Sequence, residues 1–256
     1  MIIIVINAMN DLYNLKGKTA CITGSKRIGQ KVVEVLAQKG ANIILFYNKS
    51  RKAAEEIARK VRKYGVKTLV LQVNVSSREN VRKAVENIKK YFNKIDILIL
   101  MASTFKKTKL REISEKDLID NFKVHILGTF WPIVESLRMM PKGSHIITIS
   151  DRTFIGITYS EYLPYIITKG AIMQMTKALA VELGPKGIFI NSIAPGPVLK
   201  PETMTDSEWK KIREQSIVNY PINDEEAVRE FAKLVLYLST TRSTGGVYPL
   251  DFGHLY

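Results

Sequence analysis

Short apolar runs alternate with longer stretches of helical period along almost the whole chain. The strand-like runs fall at 18–23, 42–47, 68–73, 96–101, 145–150, 188–194 and 247–250. The helix-like stretches fall at 28–39, 50–63, 78–91, 114–137, 165–183 and 224–238. Strands without a polar face are buried on both sides. Their alternation with helices predicts right-handed βαβ crossovers and a doubly wound, parallel seven-stranded sheet of the α/β class. No repeat, low-complexity segment or linker interrupts the pattern. A single domain over 15–256 is expected, with an N-terminal extension at 1–14.

Two helix ends are legible. Ser114 followed by Asp117 reads as an N-cap with an acidic first turn. Gly184-Pro185 after Leu183 reads as a helix stop. The stretch 165–183 is apolar almost all round, with Ile166, Ile167, Ile172, Met173, Met175, Leu179, Val181 and Leu183. A surface helix shows one apolar stripe. Burial on two sides predicts a second subunit, so a homo-oligomer is expected.

Composition narrows the class. The chain has 256 residues, 46% of them hydrophobic and 25% charged, which is globular composition. The one cysteine, Cys21, excludes an intramolecular disulfide framework and fits a reducing cytoplasm. His125, His145 and His254 share no ligand spacing with Cys21, so no metal site is expected. The apolar run at 1–6 is far short of the ~20 residues of a membrane span and lacks the flanks of a signal peptide. No membrane partner is expected.

The 39 basic and 24 acidic residues give a formal charge of +15. Such a charge attracts anions: nucleotides, phosphorylated cofactors, acidic carrier proteins or nucleic acid. The basic residues between Lys49 and Lys63 have helical period and are interrupted by Glu55 and Glu56. They read as a solvated helix face or as a partial footprint for a polyanion. No nucleic-acid-binding signature accompanies them.

The chemistry begins after the first strand. Thr23-Gly24-Ser25-Lys26-Arg27-Ile28-Gly29 runs straight into a helix. Small residues there let backbone N–H groups approach a pyrophosphate, and the helix N-terminus favours the anion. The second strand ends at Tyr47-Asn48-Lys49-Ser50-Arg51, without the acidic side chain that meets a free ribose 2′-hydroxyl. Arg27, Lys49, Ser50 and Arg51 instead suit a 2′-phosphate, so NADPH is expected over NADH. The alternative is that these are surface cations and Asn48 alone meets the ribose. Further along, Tyr165 and Lys169 stand four apart on a helix and share a face. A lysine ammonium beside a phenol favours the phenolate and makes tyrosine a usable proton donor.

With these features the chain resembles the short-chain dehydrogenase/reductase family over nearly all of 15–253. The Thr-Gly loop, Asn74-Val75-Ser76, Ala102, the Tyr165/Lys169 pair, the run Asn191-Ser192-Ile193-Ala194-Pro195-Gly196 and Asp251-Phe252-Gly253 carry the resemblance. It implies a Rossmann-like sheet of strand order 3-2-1-4-5-6-7 and commonly a tetramer; a homodimer or homotetramer is expected. It implies that Tyr165 is the acid, that Lys169 holds the nicotinamide ribose and that Pro195-Gly196 flanks the nicotinamide. The implied cofactor contacts are Gly24, Ser25, Lys26, Arg27, Ile28, Asn48, Lys49, Ser50, Asn74, Val75, Ala102, Ser103, Tyr165, Lys169, Pro195, Gly196 and Val198. It places a substrate lid at 199–218, with Met204 and Trp209 as pocket candidates.

The departures are specific. The glycine loop is one residue short and carries Arg27 near its middle glycine. The family's Asn-Asn-Ala-Gly is Leu100-Met101-Ala102-Ser103, its catalytic Asn is His125 and its serine is Asp151. Lys-Arg in the loop, a basic-Ser pair after strand two, the run from Ala102 to Phe105 and Asp151 resemble the pteridine reductase branch. An ionised Asp151 accepts hydrogen bonds and cannot donate one to a carbonyl. It suits a substrate with N–H donors, or it is itself protonated; otherwise Ser150 or Thr153 takes the serine's role. Phe105 is a candidate for stacking on a flat substrate. His125 either relays protons towards Lys169 or fills space. The expected activity is NADPH-dependent reduction of C=O or C=N in a small molecule. A 3-oxoacyl-[acyl-carrier-protein] reductase, with acyl carrier protein as partner, is the alternative. A non-catalytic dinucleotide- or nucleic-acid-binding protein is a further one.

Overall fold

A computed structural model describes residues 13–156, 158–202, 204–218 and 222–254. The expected extension at 1–14 lies outside the described residues except for Tyr13 and Asn14, and Thr203 of the expected lid lies outside as well.

Seven parallel strands form one sheet in the order β3-β2-β1-β4-β5-β6-β7. They are β1 Thr19–Thr23, β2 Asn42–Tyr47, β3 Thr68–Gln72, β4 Ile97–Leu100, β5 His145–Ile149, β6 Phe189–Pro195 and β7 Val247–Leu250. The order reverses between β1 and β4, whose register sets Ala20 beside Ile97 and Thr23 beside Leu100. Ligands of open α/β sheets bind outside the strand C-termini at such a switch point.

Helices cover both faces. The main ones are α1 Ile28–Gln38, α2 Arg51–Val61, α3 Arg78–Ile88, α4 Glu115–Asn121, α5 Gly128–Ser136, α6 Leu163–Leu183, α7 Asp206–Glu214 and α8 Asp224–Leu238. Alternate strand residues serve the two layers. Ile22, Leu45, Ile99 and Ile147 pack with Val33 and Leu36 of α1, Ile57 of α2 and Phe231 of α8. Cys21, Ile44, Leu98 and Ile146 pack with Val81 and Val85 of α3, Ile133 of α5 and Leu183 of α6. The inner strands β1 and β4 are buried throughout, whereas the edge strands β3 and β7 are partly exposed. That difference is why the all-apolar reading fits the inner strands best.

Three details differ from the sequence pattern. The expected helix at 114–137 consists of α4, a π-helical turn at Phe122–Leu127 and α5. Pro132 lies inside α5 and cannot donate to the carbonyl four residues back, and irregular turns collect beside such a break. The apolar helix begins at Leu163 rather than 165, with Pro164 in its first turn. Within the expected lid, α7 is a true helix with a Thr205/Glu208 capping box. The caps expected at Ser114 and Gly184 both form.

Two of the four cations of α2 sit in intrahelical pairs, Arg51 with Glu55 at 2.8 Å and Lys60 with Glu56 at 3.1 Å. Among the described residues, no helix is long and apolar enough to cross a membrane.

Candidate active site

The switch point is built from backbone that tolerates no extra atom. Gly24 has φ +72°, and a Cβ there would lie 2.5 Å from the Met101 carbonyl oxygen. A Cβ on Gly29 would lie 2.5 Å from the Gly24 carbonyl oxygen. Buried Thr23 accepts the N–H groups of Met101 and Ala102, each at 3.1 Å, which ties the β4 loop to the β1 loop. Ser25 is buried in the turn, while Lys26 and Arg27 are exposed and Ile28 opens α1. Arg27 has φ +56°, the left-handed region where glycine is at ease. Its guanidinium donates to the Lys200 carbonyl, joining the β1–α1 loop to the segment after β6. The shortened loop still delivers the chain to a helix N-terminus with no acidic residue in its first turn. An anion fits there.

The neighbouring positions line the same rim. Asn48 and Lys49 are exposed at the end of β2, and Ser50 stands at the N-cap of α2. A cavity of about 200 Å³ opens between Lys26, Arg27, Gln30, Glu56, Lys60 and Glu202. Past β3, the Asn74 carboxamide accepts the Ser76 N–H at 3.1 Å. Val75 packs so closely on Gly128 that a Cβ there would meet its methyl at 3.0 Å. At the end of β6, Gly196 donates to the Leu250 carbonyl at 2.9 Å, and a Cβ on it would lie 2.7 Å from Asp251 Cα. Pro195 closes β6, and Val198 is buried with its N–H on the Gly196 carbonyl. These close approaches pack the loops after β1, β3 and β6 against their neighbours only while the glycines remain.

Asp151 follows β5 and is 6% exposed. Its Oδ1 accepts the Thr153 N–H at 2.9 Å. Its Oδ2 accepts the Tyr165 hydroxyl at 2.7 Å and the Tyr159 hydroxyl at 3.4 Å. One turn along α6, buried Lys169 donates to the Ile149 carbonyl at 2.7 Å, with Nζ 5.6 Å from the Tyr165 ring centre. Burial lowers the Lys169 pKa to about 8, and the Asp151 charge opposes that shift. Burial first, and then the Asp151 charge, push the Tyr165 hydroxyl well above the ordinary phenol range. The acidified phenol expected from the Tyr-Lys spacing is therefore not what the fold produces. Tyr165 stays protonated at neutral pH, which is the state of a proton donor.

His125 sits on the π-helical turn, fully buried. The Thr104 N–H donates to its Nε2 at 3.2 Å, and the Ser103 hydroxyl is 2.9 Å from the same nitrogen. Nδ1 therefore carries the proton and donates it to Thr168 Oγ1 at 2.7 Å. Burial, then the Lys169 charge, lower its pKa to about 3. The imidazole is a neutral tie between the β4 loop and α6. Ser150 is no stand-in for Asp151: its hydroxyl is buried, donates to the Ile193 carbonyl at 3.1 Å and accepts from Ser192 at 2.9 Å.

Phe105 lies in a cluster of tyrosines. Its ring stacks on Tyr162 at 4.2 Å and meets Tyr165 edge-on at 4.9 Å. One of its two faces is thus already covered. In the segment after β6, the Met204 N–H donates to the Pro201 carbonyl, and Trp209 donates its indole N–H to Asp224 at 3.0 Å. Arg213 stacks on the Trp209 ring at 4.9 Å and bonds the same carboxylate at 2.8 Å. Trp209 braces α7 against the start of α8. The structure thus gathers Tyr165, Lys169, Asp151, His125 and Phe105 at one place, with Met204 and Trp209 apart from them on the segment after β6. Sequence reasoning missed Tyr159, Thr168 and Asp224. No periodicity marks Tyr159, which lies on a loop; Thr168, three after Tyr165, shares its helical face and was in principle detectable.

The family described as Enoyl-(Acyl carrier protein) reductase matches residues 23–253. A 3-oxoacyl-[acyl-carrier-protein] reductase of Aquifex aeolicus is 34% identical over 229 residues, covering 88% of this chain and 90% of its own length. A glucose and ribitol dehydrogenase homologue of Arabidopsis thaliana is 36% identical over 197 residues, covering 73% of this chain and 67% of its own. Among solved structures, a short-chain dehydrogenase/reductase of Serratia marcescens superposes with a TM-score of 0.87 at 27% identity, covering 95% of this chain and 100% of that one. A blue fluorescent protein from a metagenomic library, in complex with NADPH, superposes with a TM-score of 0.84 at 26% identity and the same coverage.

Proposed function

Because the chain belongs to the short-chain dehydrogenase/reductase family of NAD(P)(H)-dependent oxidoreductases, we propose that it reduces a C=O or C=N carbon with NADPH. The observation that carries the reading is the protonated Tyr165 hydroxyl held beside buried Lys169 at the switch point of the sheet. When bound, the nicotinamide supplies hydride. Tyr165 gives the proton to the substrate atom that gains electrons. The Lys169 ammonium offsets the negative charge that develops there and positions the ribose. Asp151 fixes the direction of the Tyr165 hydroxyl, and His125 locks the β4 loop against α6. Lys26, Arg27 and Lys49 offer charge to a 2′-phosphate near the cavity at the loop, and no acidic side chain ends β2. That supports NADPH over NADH, as does the NADPH complex of the metagenomic relative.

Two substrate classes divide the remaining observations. The first is a 3-oxoacyl thioester on an acyl carrier protein. The Aquifex relative's activity and the formal charge of +15, suited to an acidic carrier, support it. The second is a flat heterocycle with N–H donors, as in the pteridine reductase branch. Asp151, which only accepts when ionised, and the Phe105 ring beside Tyr165 support it. The segment 199–218 serves as the lid for either substrate, and the working unit is a homo-oligomer of one-domain subunits.

The test is NADPH oxidation with acetoacetyl thioester and with dihydrobiopterin, each assayed on the wild type and on Tyr165→Phe. The expected result is turnover of the thioester, lost by about 10²–10⁴-fold in Tyr165→Phe with cofactor affinity kept. Turnover of the pterin alone would reverse the order of the two classes. Undiminished activity of Tyr165→Phe would remove the role given to that hydroxyl.

A further inference from the structure

Each reduction by hydride consumes one proton, so an acid that has donated must be recharged before the next turnover. His125 cannot do this. Its Nε2 already accepts the Thr104 N–H, its Nδ1 proton is held by Thr168, and it stays neutral. At Tyr165 itself, one carboxylate oxygen serves two phenols. Asp151 Oδ2 accepts from Tyr165 at 2.7 Å and from Tyr159 at 3.4 Å. Tyr159 is only partly buried, and its neighbours Thr158 and Ser160 are exposed. The loop is also held in place. The Thr108 N–H donates to the Glu161 carbonyl at 2.7 Å, and Lys107 pairs with the Glu161 carboxylate at 3.0 Å. Glu161 adopts φ +67°, strained backbone of the kind that persists where surrounding contacts over-determine it. The Phe105 ring meets Tyr159 edge-on at 6.3 Å and closes the cluster.

We propose that Tyr159 recharges Tyr165 through the Asp151 carboxylate, giving the site a proton entry from the loop side. The inference rests on Tyr165 being the acid of the reaction. The balance is simple. The Tyr165 O–H bond breaks as its proton goes to the substrate. A new O–H bond forms at Tyr165 with a proton from Asp151 Oδ2, which takes one from the Tyr159 hydroxyl. Tyr159 takes its replacement from water or a buffer acid, and nothing is oxidised or reduced in these steps. Tyr159 does not need to stay ionised, which burial and the Asp151 charge oppose; its hydroxyl gains one proton as it gives another. The other charged groups facing this chain of oxygens are Lys169 from α6 and Arg152 beside Asp151.

The test needs no substrate. The full chain is labelled with tyrosine carrying carbon-13 at Cζ, and the deuterium isotope shift in mixed light and heavy water gives the hydroxyl exchange rate of Tyr165. Tyr165→Phe assigns the signal. Tyr159→Phe is expected to slow that exchange by about 10-fold or more, on the low side of a lost general acid. Asp151→Asn, which cannot carry the proton onward, is expected to do the same and decides the matter if Tyr159→Phe does not fold. A rate within about two-fold of wild type in either folded variant overturns the proposal and returns the proton supply to Lys169. With acetoacetyl thioester and NADPH, Tyr159→Phe is expected to keep its first turnover and to slow in later ones, with imidazole restoring the rate. A first turnover slowed as much as the later ones would mean a purely structural role and would also overturn it. Because exchange is read on the free protein, absence of turnover with the thioester would count against that substrate and leave the exchange result standing.

Discussion

At the scale of single residues, the chemistry turns on what Asp151 does to its neighbours. It raises the Tyr165 hydroxyl and partly restores the charge of Lys169, whose pKa burial brings to about 8. The Lys169 ammonium offsets negative charge near Tyr165, so turnover is expected to fall as pH rises through about 8 and Lys169 loses its proton. In Asp151→Asn, Lys169 loses the charge that raised its pKa, so the same decline is expected at lower pH. The pH profile of kcat for the two proteins checks this; an alkaline limb that stays in place, or moves upward, would contradict the coupling. The Tyr165/Lys169 pair was legible because four residues make one helical turn and bring the two side chains to one face. Its electrostatic sign was legible in part: an aspartate in the family's serine position raises a phenol beside it, which opposes the lysine. Spacing reports the lysine, but burial and the facing carboxylate depend on how β5 and α6 meet. Tyr159 was hidden for a related reason, since a loop has no period to connect it with Asp151.

At the scale of elements, the phosphate loop shows how a deviant sequence still makes a working turn. Losing one residue and placing Arg27 near the middle glycine puts a left-handed backbone on a side chain, and Arg27 then reaches the Lys200 carbonyl. The two remaining glycines carry the close approaches. Gly24→Ala would drive a Cβ to 2.5 Å from a backbone oxygen of the β4 loop, at φ +72° where alanine is strained. The expected cost is about 2 kcal/mol, or roughly 4–8 °C in Tm for a chain of this size, with NADPH affinity reduced as well. Calorimetry and cofactor titration of the variant check this, and an unchanged Tm would mean that the β4 loop yields easily. The inner strands were readable to within a residue or two because burial on both faces leaves a continuous apolar run. The 114–137 stretch misled because its apolar period survives the π-helical turn, and Pro132 alone signalled the break. α7 was missed because its residues are largely exposed and its apolar face is only Trp209 and Ile212.

At the scale of the whole molecule, the outer surface carries more hydrocarbon on one side than a lone subunit needs. α6 packs against α4 and the π-helical turn, and the outward faces of these elements present Leu118, Ile119, Phe122, Leu163 and Ile167. Phe122 is 50% exposed and Ile167 54%. Single exposed apolar residues are ordinary, but several on adjoining elements mark a protein interface. The same helix carries Tyr165, Thr168 and Lys169 on its inner face, so a second copy seated on the outer face would stiffen the element that holds the acid. An acidic side chain placed in that face would have to be buried unpaired on association. Ile167→Glu is therefore expected to shift the protein from a dimer or tetramer towards monomer. Turnover is expected to fall because α6 loses its support, although residue 167 points away from the Tyr165 cluster. Sedimentation velocity over a range of concentrations checks the assembly, and a wild type that sediments as monomer throughout would refute it. If Ile167→Glu were monomeric yet fully active, the interface would stand and its support of the catalytic helix would not.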